Sequence, residues 1–107
     1  MTIKKTAAIT ALTGALVLGV AVPASAGTSG WTAANGWVQS SGGIINWQKT
    51  SLGGGMYRAK VEGPATWTMN IKAHFVLLGQ THTTNGVAGL GFATTTADHM
   101  TDFYAWW

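Results

Sequence analysis

The sequence contains no cysteine, only two prolines and few charges, with Asp, Glu, Lys and Arg making up 8% of its 107 residues. The lack of cysteine excludes the disulfide bonds that stabilise many small secreted domains, and it removes the thiolate ligands of common zinc sites. The basic residues are too few for the many phosphate contacts of a nucleic-acid-binding protein. The chain therefore has to fold around its apolar residues, and we expect no nucleic acid partner.

The first 26 residues have the three parts of a secretory signal peptide. Lys4 and Lys5 precede the uncharged run Ala7–Val22, and the small residues Ala24–Ala26 then form a cleavage signal. An uncleaved membrane anchor is the alternative, but the apolar run is shorter than the roughly 20 residues of a spanning helix. We expect cleavage after Ala26, export by the Sec route and an extracellular location.

Residues 27–43 differ in composition from the rest of the secreted part. They are rich in Gly, Ser, Thr and Asn, and they include Trp31 and Trp37. This composition indicates a flexible N-terminal arm with one short strand around Trp37. Residues 44–107 are expected to form a single small domain.

Alternation of apolar and polar residues predicts β-strands in residues 44–107. The clearest case is the segment Ala65–Leu78, in which every second residue is apolar from Trp67 to Phe75. The dipeptide Asn85-Gly86 is typical of a hairpin turn. We expect an all-β fold, namely a small antiparallel β-sandwich or barrel of five to six strands.

The last five residues, FYAWW, carry four aromatic side chains. In a strand, Tyr104 and Trp106 would lie on the face opposite Phe103, Ala105 and Trp107. The sequence leaves open which set closes the core and which is exposed, and exposed aromatics mark contacts with sugars, lipids or proteins. The candidate binding aromatics are Trp31, Trp37, Tyr104, Trp106 and Trp107.

Arg58 and Lys60 share one face of the predicted strand Met56–Glu62. A solvated strand face is the simpler interpretation. The functional alternative is contact with an anion such as the phosphate of a lipid head group, because the planar guanidinium of arginine can bind two oxygens. Arg58 and Lys60 are therefore candidate binding residues.

No residue pattern predicts catalysis, a metal site or a cofactor. The spacing of His74, His82 and His99 matches no compact ligand motif. The few acidic residues offer no clear pair for glycoside hydrolysis, and no serine lies in a G-x-S-x-G turn. We expect a protein that is not an enzyme, with no catalytic residue, no metal and no cofactor.

The C-terminal segment Ala88–Trp107, AGLGFATTTADHMTDFYAWW, follows a secretion signal and an opening rich in Gly and Trp. In this layout the chain resembles the lactococcin 972 family of secreted bacteriocins, with Phe103, Tyr104 and Trp107 as the matching positions. The resemblance implies a β-sandwich that arrests or kills related bacteria. It also implies that the protein engages the cell-wall precursor lipid II and blocks septum formation.

We expect a secreted, non-enzymatic antibacterial protein that acts at the target cell envelope, where a lipid-linked cell-wall precursor or an envelope glycan would be its partner. One alternative is a subunit of a secreted complex, whose arm at residues 27–43 adds a strand to a protein partner. Another is a small carbohydrate-binding module that uses exposed tryptophans.

Overall fold

Residues 27–107 form an antiparallel β-sandwich in the computed structural model, which describes this part of the chain. The described residues contain nine strands and no helix, so no helix among them is long and apolar enough to cross a membrane. The predicted signal peptide lies outside this range. The strands are β1 (Thr28–Thr32), β2 (Gly36–Ser40), β3 (Gly43–Gly53), β4 (Met56–Glu62), β5 (Thr68–Leu77), β6 (Gln80–Thr83), β7 (Val87–Leu90), β8 (Phe92–Asp98) and β9 (Met100–Trp106).

The strands are arranged in two sheets. The five-stranded sheet has the order β1–β9–β5, and the free side of β5 is shared by two short strands. Of these, β6 pairs with the C-terminal half of β5 and β7 with its N-terminal half. The four-stranded sheet has the order β2–β3–β4–β8. The predicted antiparallel sandwich is therefore confirmed, although with more strands than the five to six expected.

The core lies between the two sheets and follows the alternation seen in the sequence. On β5, Met69, Ile71 and Ala73 are fully buried, while the intervening polar residues face outward. On β9, Phe103 and Ala105 are fully buried in the same way. Because side chains alternate between the faces of a strand, the residues between these positions form the outer face of the sheet.

Trp107 belongs to the core. Its backbone N–H donates to the carbonyl of Gly27 at 3.0 Å, and the N–H of Gly27 donates back to its carbonyl at 3.1 Å. Its indole is buried and stacks on that of Trp47, with ring centroids 6.0 Å apart. This burial removes Trp107 from the candidate contact residues, since its ring is shielded from an external ligand.

The segment expected to be a flexible arm contains two paired strands. Strand β1 pairs with β9, and β2 pairs with β3. The hydroxyl of Ser29 helps to hold β1 in place, because it accepts a hydrogen bond of 2.9 Å from the N–H of Ala105. Gly- and Ser-rich composition indicates flexibility only where the backbone lacks partners, and here two sheet edges supply them.

The turn at Asn85-Gly86 does not join a hairpin, because β6 and β7 each pair with β5 rather than with each other. The two-residue hairpin turn lies at Leu78-Gly79, between β5 and β6. Leu78 has φ 51° and Gly79 has φ 75°, as in a type I′ turn. Leucine is an unusual residue for this conformation, in which its Cβ approaches the backbone closely.

We expect Leu78→Asn to raise the free energy of unfolding by about 1 kcal/mol, because asparagine tolerates positive φ better than leucine does. Little packing is lost, since the Leu78 side chain is 94% exposed. Urea unfolding measures the change. Leu90→Asn is the control, because Leu90 is also exposed but has negative φ, and it should shift stability by less than about 0.5 kcal/mol. Equal changes in the free energy of unfolding for the two substitutions would contradict the claim that Leu78 is strained.

Candidate functional site

The outer face of the five-stranded sheet brings aromatic and charged side chains together. Trp31 on β1 lies opposite Tyr104 on β9, and Tyr104 lies opposite Lys72 on β5. In the next row His74 lies opposite Asp102. Residues opposite each other in an antiparallel pair share a face, so their side chains meet. We call the following set the Lys72 patch: Trp31, Lys72, His74, Asp102, Tyr104 and Trp106.

The ammonium group of Lys72 lies within reach of three aromatic rings. Its Nζ is 5.8 Å from the ring centroid of Trp31, 5.3 Å from that of Tyr104 and 5.4 Å from that of Trp106. A cation at these distances is attracted to the negative faces of the rings. The flexible lysine is thereby held among the rings, so that a positive charge lies next to three aromatic side chains.

The imidazole of His74 positions the indole of Trp31. The two rings are stacked, with centroids 3.7 Å apart and planes 7° apart. His74 Nδ1 lies 2.8 Å from Oδ1 of Asp102, to which the Thr101 hydroxyl also donates a hydrogen bond at 3.0 Å. This chain of contacts fixes an indole that would otherwise project freely from an edge strand.

Two further contacts orient Trp106 at the other side of the patch. The side-chain amide of Asn70 donates to the carbonyl oxygen of Trp106 at 3.2 Å. A Cβ added at Gly86 would lie 3.2 Å from the Trp106 ring, so glycine allows the ring to lie against this turn.

The patch combines aromatic rings with a positive charge. Trp31 is 41% exposed, with His74 stacked on one face of its indole, and Tyr104 and Trp106 are half-buried. Lys72 supplies a positive charge, and His74 with Asp102 supplies polar groups at the border. Among residues 27–107, no group of three His, Asp or Glu side chains is placed to hold a metal ion.

The other predicted binding residues lie on the opposite side of the sandwich. Trp37, Arg58 and Lys60 are on the outer face of the four-stranded sheet, where Trp37 is 64% exposed. Lys60 Nζ lies 3.6 Å from Glu62 Oε1 and 5.8 Å from the ring centroid of Phe92. The Arg58 and Lys60 pair therefore cannot contact the same small ligand as Tyr104 and Trp106.

Sequence reasoning found the aromatic residues of the patch but missed the residues that accompany them. Lys72 and His74 share the polar face of the predicted strand at residues 65–78, and Asp102 shares a face with Tyr104. The alternation on each strand therefore indicates which residues share a face. The pairing of β5 with β9, which brings the two faces together, is a long-range contact that neither segment indicates alone.

Comparisons with protein-family models, curated protein sequences and solved structures give no match for this chain. The function is therefore inferred from the chemistry of the surface.

Proposed function

We propose that the protein is a secreted, non-enzymatic antibacterial protein that binds a component of the target cell envelope through the Lys72 patch. The proposal rests on one observation. The ammonium group of Lys72 lies among the rings of Trp31, Tyr104 and Trp106. Aromatic rings around a fixed positive charge form a surface for a ligand with both an apolar face and a negative charge.

A lipid-linked cell-wall precursor has this chemistry, because its head group joins amino sugars to a pyrophosphate. The apolar faces of the sugars would stack on Trp31 and Tyr104, while a phosphate oxygen would accept a charge-assisted hydrogen bond from Lys72. The resemblance of Ala88–Trp107 to the lactococcin 972 bacteriocins supports the same target, and one of its matching residues, Tyr104, lies in the patch.

A second candidate function is binding of an uncharged envelope glycan, which the exposed indoles of Trp31 and Trp37 favour. The two functions differ in what they require of Lys72. Phosphate recognition needs its charge, whereas stacking of neutral sugars needs chiefly the rings. Substitution Lys72→Met, which keeps the length of the side chain without its charge, would weaken binding of the precursor much more than binding of the glycan.

The alternative of an assembly subunit finds less support in this geometry. Its proposed strand donor, residues 27–43, already forms β1 and β2, which are paired within the two sheets. Strand addition by a partner would then use the outer edge of β1 or β2 rather than a free arm.

Growth inhibition by protein purified from the culture medium of an expressing strain tests the proposal. We expect the wild-type protein to inhibit some members of a bacterial panel and to cause cell-wall precursor to accumulate in them. Trp31→Ala should raise the inhibitory concentration at least about tenfold, as expected for the loss of one central tryptophan contact. Trp37→Ala is the matched control, since it removes an exposed tryptophan from the opposite face, and it should leave inhibition unchanged.

Absence of inhibition across the panel, or equal loss in the two tryptophan variants, would contradict the proposal. Inhibition without precursor accumulation would retain an antibacterial function but assign it to another envelope component.

A further inference from the structure

The hairpin turn between β5 and β6 presents a leucine in an unfavourable position. Leu78 is 94% exposed, and its φ of 51° is a conformation that leucine rarely adopts. Neither packing nor backbone preference within the described residues explains a leucine here. Strained residues that persist on a protein surface frequently serve function rather than folding.

Leu78 is one of several exposed apolar residues at the same end of the molecule. The N–H of His99 donates to the carbonyl of Gly55 at 2.8 Å, and the N–H of Val76 donates to the carbonyl of His99 at 3.2 Å. These bonds join the β3–β4 turn, the β8–β9 turn and the end of β5. We call the exposed side chains that they bring together the leucine end: Leu52, Met56, Leu77 and Leu78.

An open groove of about 750 Å³ lies next to Leu78. The apolar part of its lining includes Phe75 and Leu77 of β5 and Ala97 of β8, and polar residues such as Thr83 and Thr84 complete it. These apolar residues continue the inward-facing rows of their strands beyond the point where the core is closed. The apolar surface of the leucine end therefore extends inward from the turns, rather than being limited to single side chains.

The turns of the leucine end carry one acidic residue and no basic one. The turn residues 52–56, 77–80 and 97–100 contain no Lys or Arg. Their charged or titratable side chains are those of Asp98 and His99, whose Oδ2 and Nδ1 lie 3.2 Å apart. Attraction to anionic lipids or to an acidic protein requires basic side chains. The leucine end has none in these turns, so its contacts with a partner would be mainly apolar.

The shape of this end favours a fluid phase over a folded protein. Its apolar side chains project from separate turns, with Leu78 in the two-residue turn between β5 and β6. A folded partner would need a matching pocket for each turn, whereas the acyl region of a bilayer accommodates such side chains without a fixed shape. We propose that the leucine end inserts into the surface of a lipid bilayer.

The position of the Lys72 patch restricts the orientation of the inserted protein. Lys72 and Leu78 are six residues apart along β5 and its turn, or roughly 20 Å at the rise of a β-strand. With Leu78 among the acyl chains and β5 along the bilayer normal, the patch would lie outside the head-group layer, which is about 5–8 Å thick. Contact between Lys72 and a head-group phosphate therefore requires β5 to be tilted toward the membrane plane. This part of the argument rests on the proposed function, while insertion itself does not. Two weak contacts with one membrane-bound target would reinforce each other.

Flotation of the purified protein with lipid vesicles tests the proposal. The vesicles are made of dioleoylphosphatidylcholine, alone or mixed with dioleoylphosphatidylglycerol, and contain no cell-wall precursor. We expect wild-type protein to bind both kinds with little dependence on salt. Leu78→Asn should weaken partitioning about tenfold or more, as the burial of one leucine side chain implies. Asparagine is compatible with positive φ, so this variant should remain folded.

Leu90→Asn is the matched control, because Leu90 is an exposed leucine outside the leucine end, and it should bind vesicles as the wild type does. Equal binding by Leu78→Asn, or no binding of wild-type protein to either vesicle, would overturn the proposal. A change of oligomeric state in Leu78→Asn without vesicle binding would instead assign the surface to a second copy of the chain.

The same experiment separates this proposal from the proposed function. Trp31→Ala should keep vesicle binding while losing its effect on growth. If wild-type protein binds vesicles but no cell-wall component, insertion stands and the proposed function fails. If it binds a soluble precursor analogue but no vesicles, the proposed function stands and insertion fails.

Discussion

Phe103→Ala is expected to lower the free energy of unfolding by about 3–5 kcal/mol, the usual loss for a buried phenylalanine. Phe103 is among the largest fully buried side chains of the domain, and it lies on β9, between β1 and β5. A domain of this size has a total stability of roughly 4–12 kcal/mol, and no disulfide bond supplements it. The substitution should therefore leave a large unfolded fraction at physiological temperature.

Urea unfolding followed by tryptophan fluorescence measures this loss. Tyr104→Ala is the control, because Tyr104 is the next residue on the same strand but lies on the outer face. We expect it to cost about 1 kcal/mol, since exposed outer-face residues contribute mainly cross-strand contacts. A loss as small for Phe103→Ala as for Tyr104→Ala would show that β9 does not close the core.

Local alternation allowed the all-β class and the inner faces of the long strands to be predicted. In β5 and β9 the apolar residues recur at every second position, and the structure buries Met69, Ile71, Phe103 and Ala105 accordingly. A period of two is sufficient evidence in such segments because one buried face determines the position of each side chain.

Features that depend on distant partners could not be predicted in this way. Residues 27–43 look flexible in isolation, and their pairing with β9 and β3 becomes visible only in the folded sheets. The hairpin signal at Asn85-Gly86 was outweighed by pairing of β6 and β7 with β5. The turn that does form, at Leu78-Gly79, contains a leucine that turn preferences disfavour.

In the candidate site, too, local features were visible in the sequence and long-range contacts were not. The aromatic character of the tail was visible in the sequence, and two of its residues, Tyr104 and Trp106, lie in the Lys72 patch. Their expected positive partners, Arg58 and Lys60, lie on the opposite sheet. The partner that the fold supplies is Lys72, which reaches the rings through the pairing of β5 with β9.

The double substitution Trp31→Ala with Tyr104→Ala is expected to weaken binding of the envelope ligand at least about a hundredfold. Tryptophan and tyrosine at the centre of an interface each contribute about 2 kcal/mol or more, and every 1.4 kcal/mol is tenfold in affinity. The two rings flank Lys72, so their removal also frees its ammonium group. The fold should persist, because both side chains lie outside the core.

Titration of a soluble precursor analogue, a disaccharide of amino sugars bearing a pyrophosphate, into the purified protein tests the central claim directly. Isothermal calorimetry would compare the wild type with the double variant and with Trp37→Ala, after each is shown to be folded by circular dichroism. The account predicts that wild-type protein and Trp37→Ala bind alike and that the double variant binds at least about a hundredfold more weakly. Undiminished binding by the double variant, or a selective loss in Trp37→Ala, would contradict it.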